Sequence, residues 1–220
     1  MEIPEYGYRP APRGSMDANR TARRGRARRA LAPMLSAGLI YLLTGCLAVT
    51  HTQPPSKPYV PTAWPLTFKQ HDFAAHCYNT QRCSVVYDNN NFTRSAADAP
   101  SGAPPAPDYR EHWKNASFLG VNNFPPPAEV RWTALDGSEH EAKVDLAEIF
   151  KDQHILHRVA REDIPDGWGQ DVRPNIYVEV NDRTVSVLMR AHVATRQPQI
   201  AGNAYSNFRN DTILAWSKTY

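Results

Sequence analysis

The sequence lacks the residue patterns that mark most enzymes and cofactor-binding domains. Its 11 glycines do not cluster, so it has no glycine-rich loop of the kind that cradles phosphate. Neither a G-x-S-x-G nucleophile motif nor an H-E-x-x-H zinc motif occurs. Three cysteines are too few for a disulfide-dense miniprotein. These absences predict a protein that is not an enzyme and that has no cofactor and no metal site.

Positive charge is concentrated near one end of the chain. Residues 1–45 hold 8 of the 25 Lys+Arg and 3 of the 22 Asp+Glu, so residues 46–220 hold 17 and 19. Because the second part is nearly neutral, it lacks the basic face that nucleic-acid binding requires. Hydrophobic residues make up 41% of the chain, which excludes a wholly disordered protein.

Residues 1–45 have the three parts of a secretory signal peptide. An arginine-rich block precedes an apolar run of about 16 residues, shorter than the roughly 20 that cross a bilayer. The run ends in Leu43-Thr44-Gly45-Cys46, the bacterial lipoprotein pattern of a leucine, two small residues and a cysteine. We therefore predict lipid attachment at Cys46; the alternatives are an uncleaved short anchor or a chance cysteine at the end of an apolar run. Residues 1–15 are interpreted as an upstream extension of the signal.

The residues after Cys46 predict where the protein resides. Leu47 stands where lipoproteins retained in the inner membrane typically carry Asp, which favours the periplasmic face of the outer membrane. Several acyl chains anchor a protein firmly, whereas a single chain does not. Residues 46–65 are rich in proline and predict an extended tether. Residues 66–220 then form a single globular domain.

The pattern of apolar residues in this domain predicts an α+β fold, mostly antiparallel β-sheet built from hairpins. One hairpin turns at Asp136-Gly137 and a second at Asn181-Asp182, each between alternating apolar and polar residues. Residues 146–161 carry apolar side chains at spacings of three and four, which predicts one main amphipathic helix packed on the sheet. Residues 94–108, rich in Pro and Ala, are expected to form a disordered surface loop.

Two cysteines of the domain are close in sequence. Cys77 and Cys83 are six residues apart, and in an oxidising periplasm such a pair most simply forms a disulfide. A redox or metal site is the alternative, although redox pairs usually have the C-x-x-C spacing.

Histidines supply weak candidates for chemistry. His154 and His157 have an i, i+3 spacing that suits zinc, and His71 and His76 with Asp72 would suit acid–base chemistry. Because no further motif accompanies either set, we predict neither a metal site nor catalysis.

The segment from Glu162 to Asp171 holds four carboxylates, two glycines and a tryptophan. Aromatic anchors dominate the energetics of protein interfaces, so Asp166, Trp168 and Asp171 are the predicted partner-binding residues. The alternative is that Trp168 folds back over a sheet edge.

Several segments resemble one family. Phe68-Lys69-Gln70-His71-Asp72-Phe73, Cys77-Tyr78-Asn79-Thr80 with Cys83, Arg131-Trp132-Thr133-Ala134 and the C-terminal Ser217-Lys218-Thr219-Tyr220 are similar to parts of the periplasmic immunity lipoproteins. These proteins neutralise phospholipase toxins delivered by type VI secretion. The resemblance implies a non-enzymatic protein, anchored in the membrane by lipid, that binds a cognate toxin and blocks its lipid-cleaving site. A structural or assembly lipoprotein of the envelope or of a secretion apparatus is the alternative.

Overall fold

A computed structural model describes residues 61–220 of the chain, except Gln170. The predicted signal peptide, the lipidation site at Cys46 and most of the predicted tether lie outside the described residues. None of the helices in the described part has both the length and the apolar composition needed to span a membrane.

Apolar and polar side chains alternate in segments such as residues 128–134, and these segments are β-strands, as a period of two requires. The strands are β1 (Gln70–Tyr78), β2 (Thr80–Tyr87), β3 (Asn90–Asn91), β4 (Phe118–Asn122), β5 (Ala128–Ala134), β6 (Glu139–Val144), β7 (Asn175–Asn181), β8 (Thr184–Arg190), β9 (Val193–Ala194), β10 (Phe208–Arg209) and β11 (Thr212–Thr219). The helices are α1 (Arg94–Ala97) and α2 (Leu146–Ile149), with 3₁₀ turns at Tyr109–His112 and Arg161–Asp163.

These strands form two main sheets. The five-stranded sheet has the order β11-β8-β7-β1-β4, the four-stranded sheet has the order β3-β2-β5-β6, and β9 pairs with β10. Every pair is antiparallel except β1 with β7, which is parallel. With 42% of the described residues in strands and 9% in helices, the prediction of a mostly antiparallel, β-rich fold is confirmed.

Both predicted hairpins are present. β5 and β6 join through Asp136-Gly137, where Gly137 has a φ of 84° that favours glycine. β7 and β8 join through the turn at Asp182, whose φ is 51°. The apolar segment that contains Trp216 is part of β11.

The prediction of one main helix over residues 146–161 is not confirmed, because α2 ends at Ile149. Asp145 accepts a hydrogen bond from the Glu148 amide and caps α2, and the helix ends with Phe150 as its C-cap at a φ of −114°. Gln153, at a φ of 53°, then redirects the chain. The next residues are extended and pair with residues 66–68, through bonds from the Phe68 amide to the Gln153 carbonyl and from the Ile155 amide to the Leu66 carbonyl.

Burial also departs from the helical pattern in this segment. Ile155 and Val159, which lie off the predicted apolar face, are buried, and Ala160 on that face is exposed. The residues that have the apolar spacing of three and four therefore form one helical turn followed by an extended segment.

The two main sheets share one hydrophobic core. Its buried side chains include Val85, Val130 and Trp132 of the four-stranded sheet and Val178 and Val187 of the five-stranded sheet. Inward-facing residues of two sheets packed in this way form a layer about 10 Å thick.

A disulfide joins the two sheets. The chain leaves β1 and enters β2 through Asn79, so β1 and β2 are consecutive in sequence but belong to different sheets. Cys77 of β1 bonds to Cys83 of β2 across this point, with the two Cα atoms 6.3 Å apart. The predicted disulfide is thus confirmed.

Residues 94–108, expected to be disordered, begin with α1 and then contact the same point. The Ser101 amide donates to the Thr80 carbonyl, and the Asn79 amide donates to the Gly102 carbonyl. This segment therefore stabilises the connection between β1 and β2 through backbone hydrogen bonds.

A short segment, residues 109–116, covers the outer face of the five-stranded sheet, and we call it the strap. Glu179, 1% exposed on β7, accepts hydrogen bonds from the Tyr109 hydroxyl (2.9 Å) and from Arg110 Nε (3.0 Å). The buried Arg190 of β8 donates to the carbonyls of Arg110 and Trp113. Two opposite buried charges thus hold the strap at its first turn.

Apolar and aromatic contacts complete the strap. Trp113 stacks on His76 at 4.4 Å between ring centroids, and its indole Nε1 donates to the Tyr78 hydroxyl. Tyr177 donates to the Lys114 carbonyl at 3.0 Å. Unpairing one member of such a buried charge network costs more than breaking an exposed ion pair, because the remaining charge stays buried.

His71 is fully buried on the opposite face of β1. Asn123 donates through its Nδ2 to the Phe68 carbonyl, so its Oδ1 is the acceptor for His71 Nδ1–H at 2.8 Å. His71 Nε2 then accepts from the Tyr87 hydroxyl at 3.1 Å. These two bonds satisfy the neutral imidazole and fix its tautomer.

The edges of both sheets are interrupted or charged. β11 has a register shift between Leu214 and Trp216 and carries Lys218 near its end. β4 contains Gly120 with a φ of 71°, and β6 presents Glu139 and Glu141 to solvent. Bulges and charged side chains at edge strands hinder pairing with the strands of another molecule.

We expect removal of the disulfide, in a Cys77→Ala/Cys83→Ala variant, to lower the free energy of unfolding by about 2–3 kcal/mol, since the bond restricts the unfolded chain. Urea unfolding of the full chain under oxidising conditions measures this difference. Wild type kept reduced is the control and should match the variant; equal stability of variant and oxidised wild type would contradict the structural role.

We also expect stability to fall as pH falls below about 6.5. Burial lowers the pKa of His71, and the hydrogen bond to Asn123 offsets this only in part. His71 therefore binds a proton near pH 6.5 in the unfolded chain but only at lower pH in the folded chain. The contribution of His71 to the free energy of unfolding is complete above about pH 6.5 and is lost as pH falls toward the lower folded pKa.

Urea unfolding across this pH range tests the assignment. A His71→Gln variant should show a smaller decrease in the free energy of unfolding than wild type, and substitution of the exposed His154 by Gln is the matched control. An unchanged pH dependence in His71→Gln would contradict it.

Candidate partner-binding surface

The predicted partner-binding residues lie in the segment that we call the acidic loop, residues 162–171. Asp166 is exposed and contacts Arg196 Nη2 at 3.1 Å, while Asp171 is exposed and lines a cavity of about 740 Å³ together with Lys69 and Arg173. Trp168 is partly buried and packs against the core. The two carboxylates therefore have different charged neighbours, and the indole is partly covered by its own domain.

Local backbone geometry explains the position of Trp168. The Trp168 amide donates to the Pro165 carbonyl in a tight turn, and the next residue, Gly169, has a φ of 97°. This φ favours glycine, and a Cβ added to Gly169 would lie 2.8 Å from Leu66 Cδ2, so Leu66 would have to shift.

The acidic loop also contacts residues 61–65, the end of the predicted tether. The Thr62 hydroxyl donates to the Pro165 carbonyl at 2.9 Å, and Trp64 packs edge-on against His157 at 5.5 Å between ring centroids. Arg161 lies over the Trp64 ring. The last residues of the predicted tether are thus in contact with the domain.

Arg196 joins the acidic loop to a second loop. Its amide donates to the Asp163 carbonyl at 2.7 Å and its Nε donates to the Glu162 carbonyl at 2.9 Å, in addition to the ion pair with Asp166. Arg196 belongs to residues 195–207, which connect β9 to β10 and which we call the 195–207 loop.

The 195–207 loop is held by its own hydrogen bonds. The buried Ser206 hydroxyl accepts from the Ile200 amide at 2.9 Å and donates to the Asn203 carbonyl at 2.7 Å. At the base of the loop the Thr195 amide donates to the Asn207 carbonyl, and the Gln199 amide donates to the Ser206 carbonyl. The conformation of the loop is therefore set before any partner arrives.

This loop presents large apolar side chains to solvent. Tyr205 is 89% exposed and Ile200 is 60% exposed, while Phe208, at the start of β10, stacks on His192 at 4.4 Å. An aromatic side chain presented by an ordered loop is a typical interface anchor, because little conformational entropy remains to be lost on binding.

Sequence analysis missed Tyr205 and Ile200. The segment from Gln197 to Tyr205 contains Pro198, Gly202 and Asn203, which predict turns, and it lies between two apolar stretches. Apolar residues within such a turn-rich segment were the available signal.

The structure separates the histidines that were considered for chemistry. His71 is on the core side of β1, whereas His76 stacks on the strap, and Asp72 pairs with Arg173 at 2.9 Å. His154 is exposed, and His157 is half-buried with a pKa lowered by burial. In residues 61–220 no group of three or more His, Cys, Asp or Glu side chains is arranged to hold a metal ion.

The chain matches no protein-family model, no curated protein sequence and no solved structure.

We expect Arg196→Ala to loosen both loops, because the two contacts of its guanidinium, with the Glu162 carbonyl and the Asp166 carboxylate, are lost. The hydrogen bond from the residue 196 amide to the Asp163 carbonyl is all that remains of the three. Amide hydrogen exchange should become faster in residues 161–166 and 195–207, while global stability changes by no more than about 1 kcal/mol, as is usual for exposed ion pairs.

Arg158→Ala, at another exposed arginine, is the matched control for Arg196→Ala. Exchange rates equal to those of wild type in both loops would show that Arg196 does not couple them.

Proposed function

We propose that the chain is a lipid-anchored immunity protein of the periplasm, which binds and blocks a phospholipase toxin delivered by type VI secretion. The contact surface in this proposal consists of the acidic loop and the 195–207 loop. The sequence resemblance suggests the class of partner, and the side chains of these two loops suggest how the partner is held.

The observation that carries the proposal is Tyr205, 89% exposed on a loop that is internally hydrogen-bonded. Ile200, also exposed, lies in the same loop and donates its amide to the Ser206 hydroxyl. Exposed apolar side chains on an ordered loop contribute nothing to the core of the domain. Burial of a Tyr and an Ile against a partner would supply the apolar centre of an interface.

Charge complementarity supports a partner with an electropositive site. Asp166 shares its charge with Arg196, but among the described residues Glu162, Asp163 and Asp171 have no ion-pair partner. A phospholipase site that holds a phosphate group is electropositive, so free carboxylates are suited to occupy it as substitutes for the phosphate.

The proposal differs in one respect from the sequence-based hypothesis about the anchor. Trp168 already packs against the core, so its indole offers only part of its surface to a partner. Tyr205 takes the anchoring role, and the acidic loop supplies charge.

The test is a competition between siblings. A strain that lacks the gene should be killed by a parental strain that delivers the toxin, and a copy of the wild-type gene should restore resistance. Tyr205→Ala/Ile200→Ala should restore it poorly, because loss of two anchor side chains lowers affinity at least about tenfold.

Leu135→Ala is the matched control, since Leu135 is 58% exposed in the turn between β5 and β6, away from the two loops. It should protect as well as wild type. A deletion strain that resists its siblings fully would overturn the immunity role, and envelope defects in that strain would instead favour a structural or assembly lipoprotein.

A further inference from the structure

The solvent side of the four-stranded sheet carries a cavity that the proposed function does not use. Its volume is about 420 Å³, within the range of small-molecule sites. Six of the polar residues that line it alternate along β2, β5 and β6: Arg82, Ser84, Arg131, Thr133, Glu139 and Glu141. His140 of β6 lines it as well. Ala97 of α1 also lines the cavity.

Strand register arranges these side chains in two rows. Arg82 lies opposite Thr133, which lies opposite Glu139. In the next row Ser84 lies opposite Arg131, which lies opposite Glu141. Each row therefore runs from a donor on β2 to a carboxylate on β6.

The positive and negative charges consequently come from different strands. The arginines are on β2 and β5, and both glutamates are on β6, the edge strand of this sheet. Adjacent strands are about 4.8 Å apart, so the backbones of β2 and β6, which flank β5, are separated by roughly 10 Å.

The existing ion pairs leave capacity for a ligand. Arg131 contacts Glu129 at 3.3 Å and Glu141 at 3.4 Å, and all three side chains are exposed, so these contacts contribute little. Within the part of the chain that the structure describes, neither Arg82 nor Glu139 takes part in an ion pair.

The backbone beneath the cavity is fixed. Cys83, between Arg82 and Ser84, is buried and bonded to Cys77. The Thr93 hydroxyl donates to the Cys83 carbonyl and accepts from the Val85 amide. Side chains on a braced strand keep their relative positions better than those on a loop.

We propose that this cavity is a binding site for a small zwitterion, whose anionic group lies between Arg82 and Arg131 and whose ammonium group lies against Glu139 and Glu141. Ser84 and Thr133 supply hydroxyls for the anionic group. Guanidinium groups bind phosphate and carboxylate, and paired carboxylates bind an ammonium group, so aminoalkyl phosphates and amino acids or short peptides share the required chemistry. This site lies on other strands than the two loops and does not depend on the proposed function.

Isothermal titration calorimetry of the full chain, purified in a neutral detergent at low ionic strength, tests the site. The zwitterionic probes are O-phosphoethanolamine and L-alanyl-L-alanine, and the single-charge probes are inorganic phosphate and ethylamine. At least one zwitterion should bind saturably and more tightly than either single-charge probe.

Variants locate the binding. Arg82→Gln and Glu139→Gln should each weaken it about tenfold, since each removes a charge-assisted hydrogen bond. Arg158→Gln and Glu148→Gln, at exposed positions elsewhere, are the matched controls and should bind like wild type. Thermal unfolding confirms that all four variants fold.

The probes also distinguish the source of the ligand. Preference for O-phosphoethanolamine indicates a lipid headgroup, and preference for L-alanyl-L-alanine indicates an amino acid or peptide. Saturable binding of neither zwitterion, equal binding of a single-charge probe, or full binding by Arg82→Gln would each overturn the proposal.

Discussion

The connection between β1 and β2 is the constraint on which the rest of the domain depends. Because the chain changes sheets at Asn79, two consecutive strands must pack on each other across the core instead of pairing side by side. The Cys77–Cys83 bond and the backbone bonds to Ser101 and Gly102 hold this point from two sides. Once it is fixed, β7 can pair in parallel with β1, and β5 can pair with β2.

Polar groups serve two different purposes in this fold. Glu179 and Arg190 are buried, and their partners on the strap satisfy them, so they determine which segment covers the sheet. Arg196 and Arg131 are exposed, and their ion pairs contribute little to stability. Exposed charges of the second kind remain available to a ligand or partner, which is why both proposed surfaces are built from them.

The hairpins could be predicted from sequence because each combines two local signals, strict alternation and a turn that tolerates positive φ. The disulfide could be predicted because a short separation limits the choice of partners. The helix over residues 146–161 could not be judged in the same way. Apolar spacing of three and four does not reveal that the helix ends after one turn, at Ile149, and that residues 153–155 pair with residues 66–68.

The candidate site was predictable only in part. Carboxylates in a glycine-containing segment indicated the acidic loop, but the close approach of Gly169 to Leu66, which sets the position of Trp168, depends on contacts distant in sequence. Tyr205 lies in a segment without periodicity, so the sequence pattern did not reveal its exposure on a hydrogen-bonded loop. The charge-lined cavity could not be predicted from sequence either, because it depends on the register of β2, β5 and β6.

The interrupted strand margins have a consequence for crowded surroundings. The register of β11 shifts, β4 contains a glycine, and acidic side chains lie along β6. These features hinder a strand of a second copy from forming a continuous ladder of backbone hydrogen bonds with these edges. Copies concentrated on one surface would therefore meet through side chains and separate again, rather than extend one another's sheets into a fibre.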